Sequence, residues 1–125
     1  MIRVLVVDDH PAMRAGLESV LRSEPGFRCL GAAASADAMW PLVRRHRPDV
    51  VVLDVRLGKD DGISLCRELR AEPEAPAVVI LTADADPSTV GAATAAGASA
   101  TLDKATPLDV LLDAVRVATR TRAAA

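Results

Sequence analysis

The sequence predicts an α/β domain of the (βα)5 doubly wound type, with a parallel sheet in the order 2-1-3-4-5. Short apolar runs recur along the chain: Val4-Leu5-Val6-Val7, Val50-Val51-Val52-Leu53 and Val78-Val79-Ile80-Leu81. Unbroken β-branched runs of this length mark strands buried on both faces, the condition of a parallel sheet. Helical patterns separate them, as crossover connections between parallel strands require. Each run also ends in residues able to do chemistry: Asp8-Asp9, then Asp54, then Thr82-Ala83-Asp84, and Lys104 after a fourth run that ends near Leu102. In an open parallel sheet all such ends lie at the edge where ligands bind, so these groups are expected to meet in one site.

Taken in order, strands are expected near 2–7, 28–33, 49–53, 77–81 and 99–102. The first helix opens at Pro11, whose missing N–H is not needed at the first helical position. Met13, Leu17, Val20 and Leu21 follow at helical spacing, and Pro25-Gly26 stops it. Ser35 is the expected N-cap of the second helix, and Pro41 inside it predicts a kink or a late start. The third helix covers about 62–71, with Ile63, Leu65, Cys66 and Leu69 as its apolar positions. The fourth follows Asp86-Pro87-Ser88 and has Val90 as its only large apolar residue. Few large contacts predict low local stability there, which suits an element that must move. The last helix starts after Thr106-Pro107, with Asp109 in its first turn and Leu108, Leu111, Leu112 and Val115 on one face. Right-handed crossovers with helices on both faces leave few topologies, of which 2-1-3-4-5 is the common one.

With 125 residues there is room for one domain of ordinary size. Half the residues are apolar but only 2% are aromatic, so the core is built from Val, Leu, Ile and Ala. A net charge of −2 argues against a nucleic-acid surface, which needs clustered Lys and Arg. Arg44, Arg45 and Arg47 suit a helix C-terminus and need no nucleic acid. Cys29 and Cys66 form no CxxC pair and have no zinc-like spacing, and are expected to be reduced and largely buried. The first apolar run is too short for a secretory signal, and the low-charge stretch 89–102 is too short and too glycine-broken to span a bilayer. The expectation is a soluble cytoplasmic domain at 1–120 that does not touch membrane. Residues 121–125 then form a tail or the start of a linker to an absent output domain.

Two adjacent aspartates facing a third would repel by roughly 4 kcal/mol per pair at 4 Å in a protein-like dielectric. Such a cluster needs a cation or a protonated carboxyl. Mg²⁺ fits, being hard, octahedral and content with one or two carboxylates, waters and phosphate oxygens. Asp8 taken alone would equally serve to cap the helix that begins at Pro11. Asp54, Thr82 and Lys104 at successive strand ends make capping an insufficient account.

The sequence resembles the receiver domains of bacterial response regulators. The matching pieces are Val6-Val7-Asp8-Asp9-His10-Pro11, the segment Pro48-Asp49-Val50-Val51-Val52-Leu53-Asp54-Val55-Arg56-Leu57, Asp61-Gly62, Leu81-Thr82-Ala83, and Gly97-Ala98-Ser99-Ala100-Thr101-Leu102-Asp103-Lys104. Asp8-Asp9-His10 and Asp54-Val55-Arg56-Leu57 look most like the NarL/LuxR-type subfamily, whose members usually carry a C-terminal helix-turn-helix. The resemblance implies a flavodoxin-like three-layer sandwich. It implies that Asp54 takes a phosphoryl group from the phosphohistidine of a histidine kinase. Asp8, Asp9, Asp54 and the backbone carbonyl of Arg56 would hold Mg²⁺. Lys104 would contact the phosphoryl oxygens, Thr82 would swing its hydroxyl onto the group, and Ala83 would leave access open. The domain would then be a timed switch, not an enzyme acting on external substrates, whose output is transcription through the absent helix-turn-helix. It would form homodimers on phosphorylation, the first and last helices offering a face for this by analogy.

Departures from the family pattern matter too. Thr101 stands where receivers usually carry Tyr or Phe, which removes the aromatic rotamer switch and predicts a modest conformational change. Gly58 replaces the usual Pro four residues past Asp54, so the Lys59-Asp60-Asp61 loop is expected to be more flexible, with Gly62 preserving the turn. Ala105 follows Lys104, so no cis-proline is expected there. Arg56 and Asp84 are expected to face each other as a gate at the site entrance. His10 is expected to point away from the metal, His46 to be exposed, and Trp40 to pack against neighbours of the second helix. Two other functions compete: a degenerate receiver acting as a phosphorylation-independent interaction or ligand-sensing domain, and a Mg²⁺-dependent phosphatase of the haloacid-dehalogenase type. The phosphatase class wants Asp-x-Asp after its first strand, where this chain has Asp8-Asp9-His10.

Overall fold

A computed structural model describes residues 1–124. The chain runs β1 (Ile2–Val7), α1 (Pro11–Ser23), β2 (Phe27–Ala33), α2 (Ala36–His46), β3 (Val50–Asp54), β4 (Arg56–Leu57), β5 (Asp60–Asp61), α3 (Gly62–Arg70), β6 (Ala77–Thr82), α4 (Pro87–Ala95), β7 (Ala100–Asp103) and α5 (Leu108–Ala124). Five strands form a parallel sheet in the order β2-β1-β3-β6-β7, which is the expected 2-1-3-4-5 order. The remaining two strands, β4 and β5, pair antiparallel as a short hairpin after Asp54, which the sequence reading did not foresee.

Alternation along the central strands sorts the core into two halves. Leu5, Val7, Val51, Leu53, Val78 and Ile80 face one side and meet Met39 and Val43 of α2, Leu65, Cys66 and Leu69 of α3, and Ala93 of α4. Val4, Val6, Val50, Val52, Val79 and Leu81 face the other and meet Leu17 and Leu21 of α1 and Leu111, Leu112, Val115 and Ala118 of α5. The result is a three-layer sandwich. Each fully buried Val, Leu or Ile contributes about 1.5–3 kcal/mol. The sheet therefore rigidly fixes the strand ends that carry Asp8, Asp54 and Thr82.

α2 begins at Ala36 and runs through Pro41, so the late start is excluded. Ser35 caps it through the Ala38 amide as expected, and Asp60 accepts the Ala36 amide at 3.0 Å. These two caps hold the first turn in place even though Pro41 leaves the Asp37 carbonyl without its helical partner. Trp40 is half-buried against the core, with the Arg44 guanidinium 5.3 Å from its ring centre. His46 is half-buried rather than exposed, because its carbonyl lies under the Arg3 guanidinium. In α4 only Ala93 is buried, so that helix has the sparse packing its composition predicts.

α5 is one helix through Ala124, so the boundary drawn at residue 120 falls inside it. Arg122 is docked: it donates to the Ala75 carbonyl at 2.9 Å and to Asp49 at 3.2 Å. Asp49 also accepts the Arg3 amide at 2.9 Å and, through its carbonyl, the Ala77 amide at 2.9 Å. One residue, through its carboxylate and its carbonyl, thus ties β1, β6 and α5 to the start of β3 at the end of the sheet opposite Asp54.

Both cysteines are free, Cys66 buried and Cys29 half-exposed. Burial pushes the Cys66 thiol up to about 11 and raises Cys29 as well. The protonated Cys66 thiol supports the fold fully below the unfolded thiol pKa of about 8.5. That support disappears as pH climbs through about 11. At pH 8 iodoacetamide is expected to label Cys29 well ahead of Cys66 in the native protein, and both alike in denaturant. Equal native rates would contradict the buried assignment.

Candidate functional site

Every strand end named in the sequence reaches the same edge of the sheet. Asp8 leaves β1 and is 2% exposed, Asp54 closes β3 at 3%, and Thr82 closes β6 at 5%. Lys104 follows β7, its own amide donating to the Thr82 carbonyl at 2.8 Å. Its ammonium lies 2.8 Å from Asp54 Oδ2 and 3.0 Å from Asp8 Oδ2. Burial disfavours the Lys104 ammonium, but hydrogen bonds to Asp54 and Asp8 outweigh it and lift its pKa above the ordinary lysine value. Burial likewise opposes ionisation of Asp8. The His10 amide, Lys104 and the His10 ring together override it and hold the Asp8 carboxyl below the usual range.

Asp8 does two things at once. Its Oδ1 accepts the His10 amide at 2.8 Å, turning the chain into α1, while Oδ2 faces Lys104. The helical entry expected of it is thus present without removing it from the site. Asp9 is half-buried; its Oδ2 accepts the Gly58 amide at 2.9 Å. A proline at position 58 has no N–H and could not make that bond. Gly58 takes φ +60°, which glycine adopts freely and which turns β4 into β5.

The loop after Asp54 is tied down more than the sequence suggested. Asp60 caps α2, and Asp61 caps α3 by accepting the Ile63 amide at 3.0 Å and the Ser64 hydroxyl at 2.9 Å. Acidic residues that read as a flexible charged run are two helix caps. The Arg56 amide donates to Asp54 Oδ1 at 3.2 Å. Thr82 Oγ1 accepts the Asp84 amide at 3.2 Å, which occupies the hydroxyl within its own turn. Arg56 and Asp84 are both exposed, and no ion pair joins them among the described residues. The expected gate does not form: both side chains are exposed, and the contact Asp84 makes with the site is through its backbone amide to Thr82. Thr101 is half-buried in β7 beside Ile80, with no aromatic ring there to rotate.

The largest correction concerns His10, which points into the cluster. Its Nδ1 is 3.0 Å from Asp8 Oδ1, 3.2 Å from Asp9 Oδ1 and 3.6 Å from Asp54 Oδ2. Its neighbour Pro11 fixes the entry to α1, and the Asp8 Oδ1 turn folds the His10 backbone over the carboxylates. The donor set suits a divalent cation. Asp8, Asp9, His10 and Asp54 each offer one ligand atom, all within 4.8 Å of one another. Asp9 Oδ1 is buried without a hydrogen-bond partner, the Nδ1 of His10 lying near but not aligned to donate. A buried carboxylate oxygen left this way is costly unless something positive meets it.

The model of the response regulator receiver domain matches residues 4–116. The chain belongs to that family. Receivers similar to it include the transcriptional regulatory protein LiaR of Bacillus subtilis, 32% identical over 96% of this chain and 57% of that protein. A solved LuxR-family response regulator from Aurantimonas sp. SI85-9A1 superposes with a TM-score of 0.88 at 31% identity, covering 96% of this chain and 86% of that one. A Burkholderia pseudomallei response regulator, solved with a phosphorylated aspartic acid, a calcium ion and citrate, gives 0.84 at 25% identity over 98% and 72%. The receiver is of the NarL/LuxR type, as its Asp8-Asp9-His10 and Asp54-Val55-Arg56-Leu57 segments suggested. The chain spans between 25% and 57% of the length of the curated relatives it matches first. No helix among the described residues is long and apolar enough to cross a membrane.

Proposed function

We propose that Asp54 accepts a phosphoryl group from the phosphohistidine of a histidine kinase and that the resulting acyl phosphate switches an output carried elsewhere. The observation that supports this most is a buried Asp54 carboxylate held by Lys104 beside two further aspartates. An Asp54 oxygen attacks phosphorus, the P–N bond of the donor breaks, and its electron pair leaves on the imidazole. Catalysis of this kind is positioning plus charge stabilisation. Lys104 supplies a fixed positive charge where phosphoryl oxygens would collect, and the Arg56 amide orients the other Asp54 oxygen. Asp8, Asp9, Asp54 and the Arg56 carbonyl would hold Mg²⁺, which when bound neutralises phosphoryl charge. Thr82 reaches the phosphoryl group only by leaving the Asp84 amide, a rearrangement costing about 0.5–1.5 kcal/mol. Exposed Ala83 is small enough to leave the approach open.

Hydrolysis of the acyl phosphate resets the state, so the domain acts on itself and on no external substrate. The output is read as transcription through a DNA-binding segment, and dimerisation on phosphorylation belongs to the same reading. α5 offers exposed Leu108, Val110 and Val117 for such contact. Thr101 in place of an aromatic favours one alternative, a receiver that works without phosphate. Incubation with Mg²⁺ and acetyl phosphate followed by intact mass measurement separates the two. One added phosphoryl group on the parent protein and none on Asp54→Ala is expected. No addition under any donor would favour the phosphate-independent reading.

A further inference from the structure

Three aspartates alone make an all-oxygen site, the set that suits Mg²⁺, Ca²⁺ and Mn²⁺. His10 changes the set. Besides its three carboxylate neighbours, its Nδ1 lies 3.0 Å from the Lys104 ammonium. One imidazole nitrogen has either a proton to give or a lone pair to offer. As a donor it satisfies one carboxylate and repels Lys104. As an acceptor it takes a hydrogen bond from Lys104 and sets its lone pair against oxygens of Asp8, Asp9 and Asp54. Neither state satisfies the cluster, and Asp9 Oδ1 keeps no hydrogen-bond partner. A divalent cation among the four donor atoms, displacing the Lys104 ammonium from the ring nitrogen, gives Asp9 Oδ1 its missing partner and lets each oxygen and the nitrogen turn a lone pair toward positive charge.

Core packing does not account for the aim of the ring, since 64% of the side chain is exposed. Helix capping does not account for it either: His10 is the N-cap residue of α1, and its side chain makes no cap hydrogen bond. What remains is the cluster itself.

We propose that His10 is a nitrogen donor to the divalent ion beside the carboxylates, which makes this a mixed oxygen–nitrogen site selecting borderline first-row cations of the Co²⁺-to-Zn²⁺ class over Mg²⁺. The inference rests on the reading of this cluster as the cation site of a phosphoacceptor centre and names its specificity-determining residue. Imidazole is a favoured ligand for those cations, whereas Mg²⁺ prefers oxygen and holds its waters.

The test titrates the whole chain with Co²⁺ and, separately, with Mg²⁺ by calorimetry, and records the proton NMR spectrum of the Co²⁺ form. The parent is expected to bind one Co²⁺ and to show an exchangeable, hyperfine-shifted imidazole N–H resonance. His10→Ala is expected to lose that resonance and at least about tenfold in Co²⁺ affinity, with Mg²⁺ affinity changed by less than about twofold. His46→Ala should leave all three readouts unchanged. A retained resonance with unchanged Co²⁺ affinity in His10→Ala overturns the inference. If Asp9→Asn then still abolishes Mg²⁺ binding, the cation site of the phosphoacceptor reading stands without it. Failure of the parent to bind either ion overturns both.

Discussion

Replacing Lys104 with methionine is expected to lower stability in metal-free buffer by about 3 kcal/mol or more, and Mg²⁺ is expected to restore most of that loss. The Lys104 ammonium sits 2.8 Å from Asp54 and 3.0 Å from Asp8, and the three side chains are 14%, 4% and 3% exposed. Methionine keeps the apolar stem and removes only the charge, so the packing of the stem is largely retained. Two buried carboxylates then lose the ammonium that lay between them, the situation in which breaking a buried ion pair is most damaging. A divalent ion at the same cluster supplies the missing charge and no longer competes with an ammonium for the Asp54 and Asp8 oxygens. Binding only to the folded state, it adds stability by mass action. Urea unfolding of both proteins, with EDTA and with millimolar Mg²⁺, measures the effect. The variant should gain clearly more from Mg²⁺ than its parent. Equal gains, or a variant as stable as the parent in EDTA, would contradict the role assigned to Lys104.

The parts of this molecule legible in the sequence are those where one local rule decides. Val50-Val51-Val52-Leu53 can only be a strand buried on both faces, and its terminal aspartate must then lie at the sheet edge. The same argument placed Asp8, Thr82 and Lys104, and all of them meet there. The hairpin of β4 and β5 escaped because two-residue strands have no period to detect. Asp60 escaped because a cap is recognised by the helix it starts, and Asp60 caps α2, 24 positions away in sequence. Asp61, directly before α3, was by contrast a local cap signal hidden in a run of charges. Arg122 looked like part of a charged tail, since nothing local reveals that Asp49 waits 73 residues earlier. His10 was misjudged for a related reason. Its direction is set by the turn Asp8 makes with the His10 amide, and a turn of that kind is seen only once Asp8 itself is placed.

Gly62→Ala is expected to destabilise the domain by about 3 kcal/mol, at the upper end for overpacking a core position, which for a chain of this size corresponds to roughly 12 °C in Tm. The cause is steric, since Gly62 is not among the glycines with positive φ. Its amide donates to the Val55 carbonyl at 2.7 Å, drawing the start of α3 against the end of β3. A Cβ there would overlap the Asp54 carbonyl oxygen and stand 2.7 Å from Val55 Cα and 2.8 Å from the Val55 oxygen. All three obstacles are backbone, so no rotamer change relieves them and the β3–α3 connection must open. Opening it moves the Asp54 main chain, and with it the carboxylate that Lys104 and the Arg56 amide hold. Acetyl phosphate labelling should therefore fall together with stability. Gly16→Ala supplies the contrast: it lies inside α1 with no atom within 4 Å of an added Cβ. There the same methyl group should raise stability by about 0.5–1 kcal/mol through helix propensity, with labelling unchanged. Thermal melts of the two variants decide the matter: shifts of the same sign would show that Gly62 is not held between backbone atoms as the structure places it.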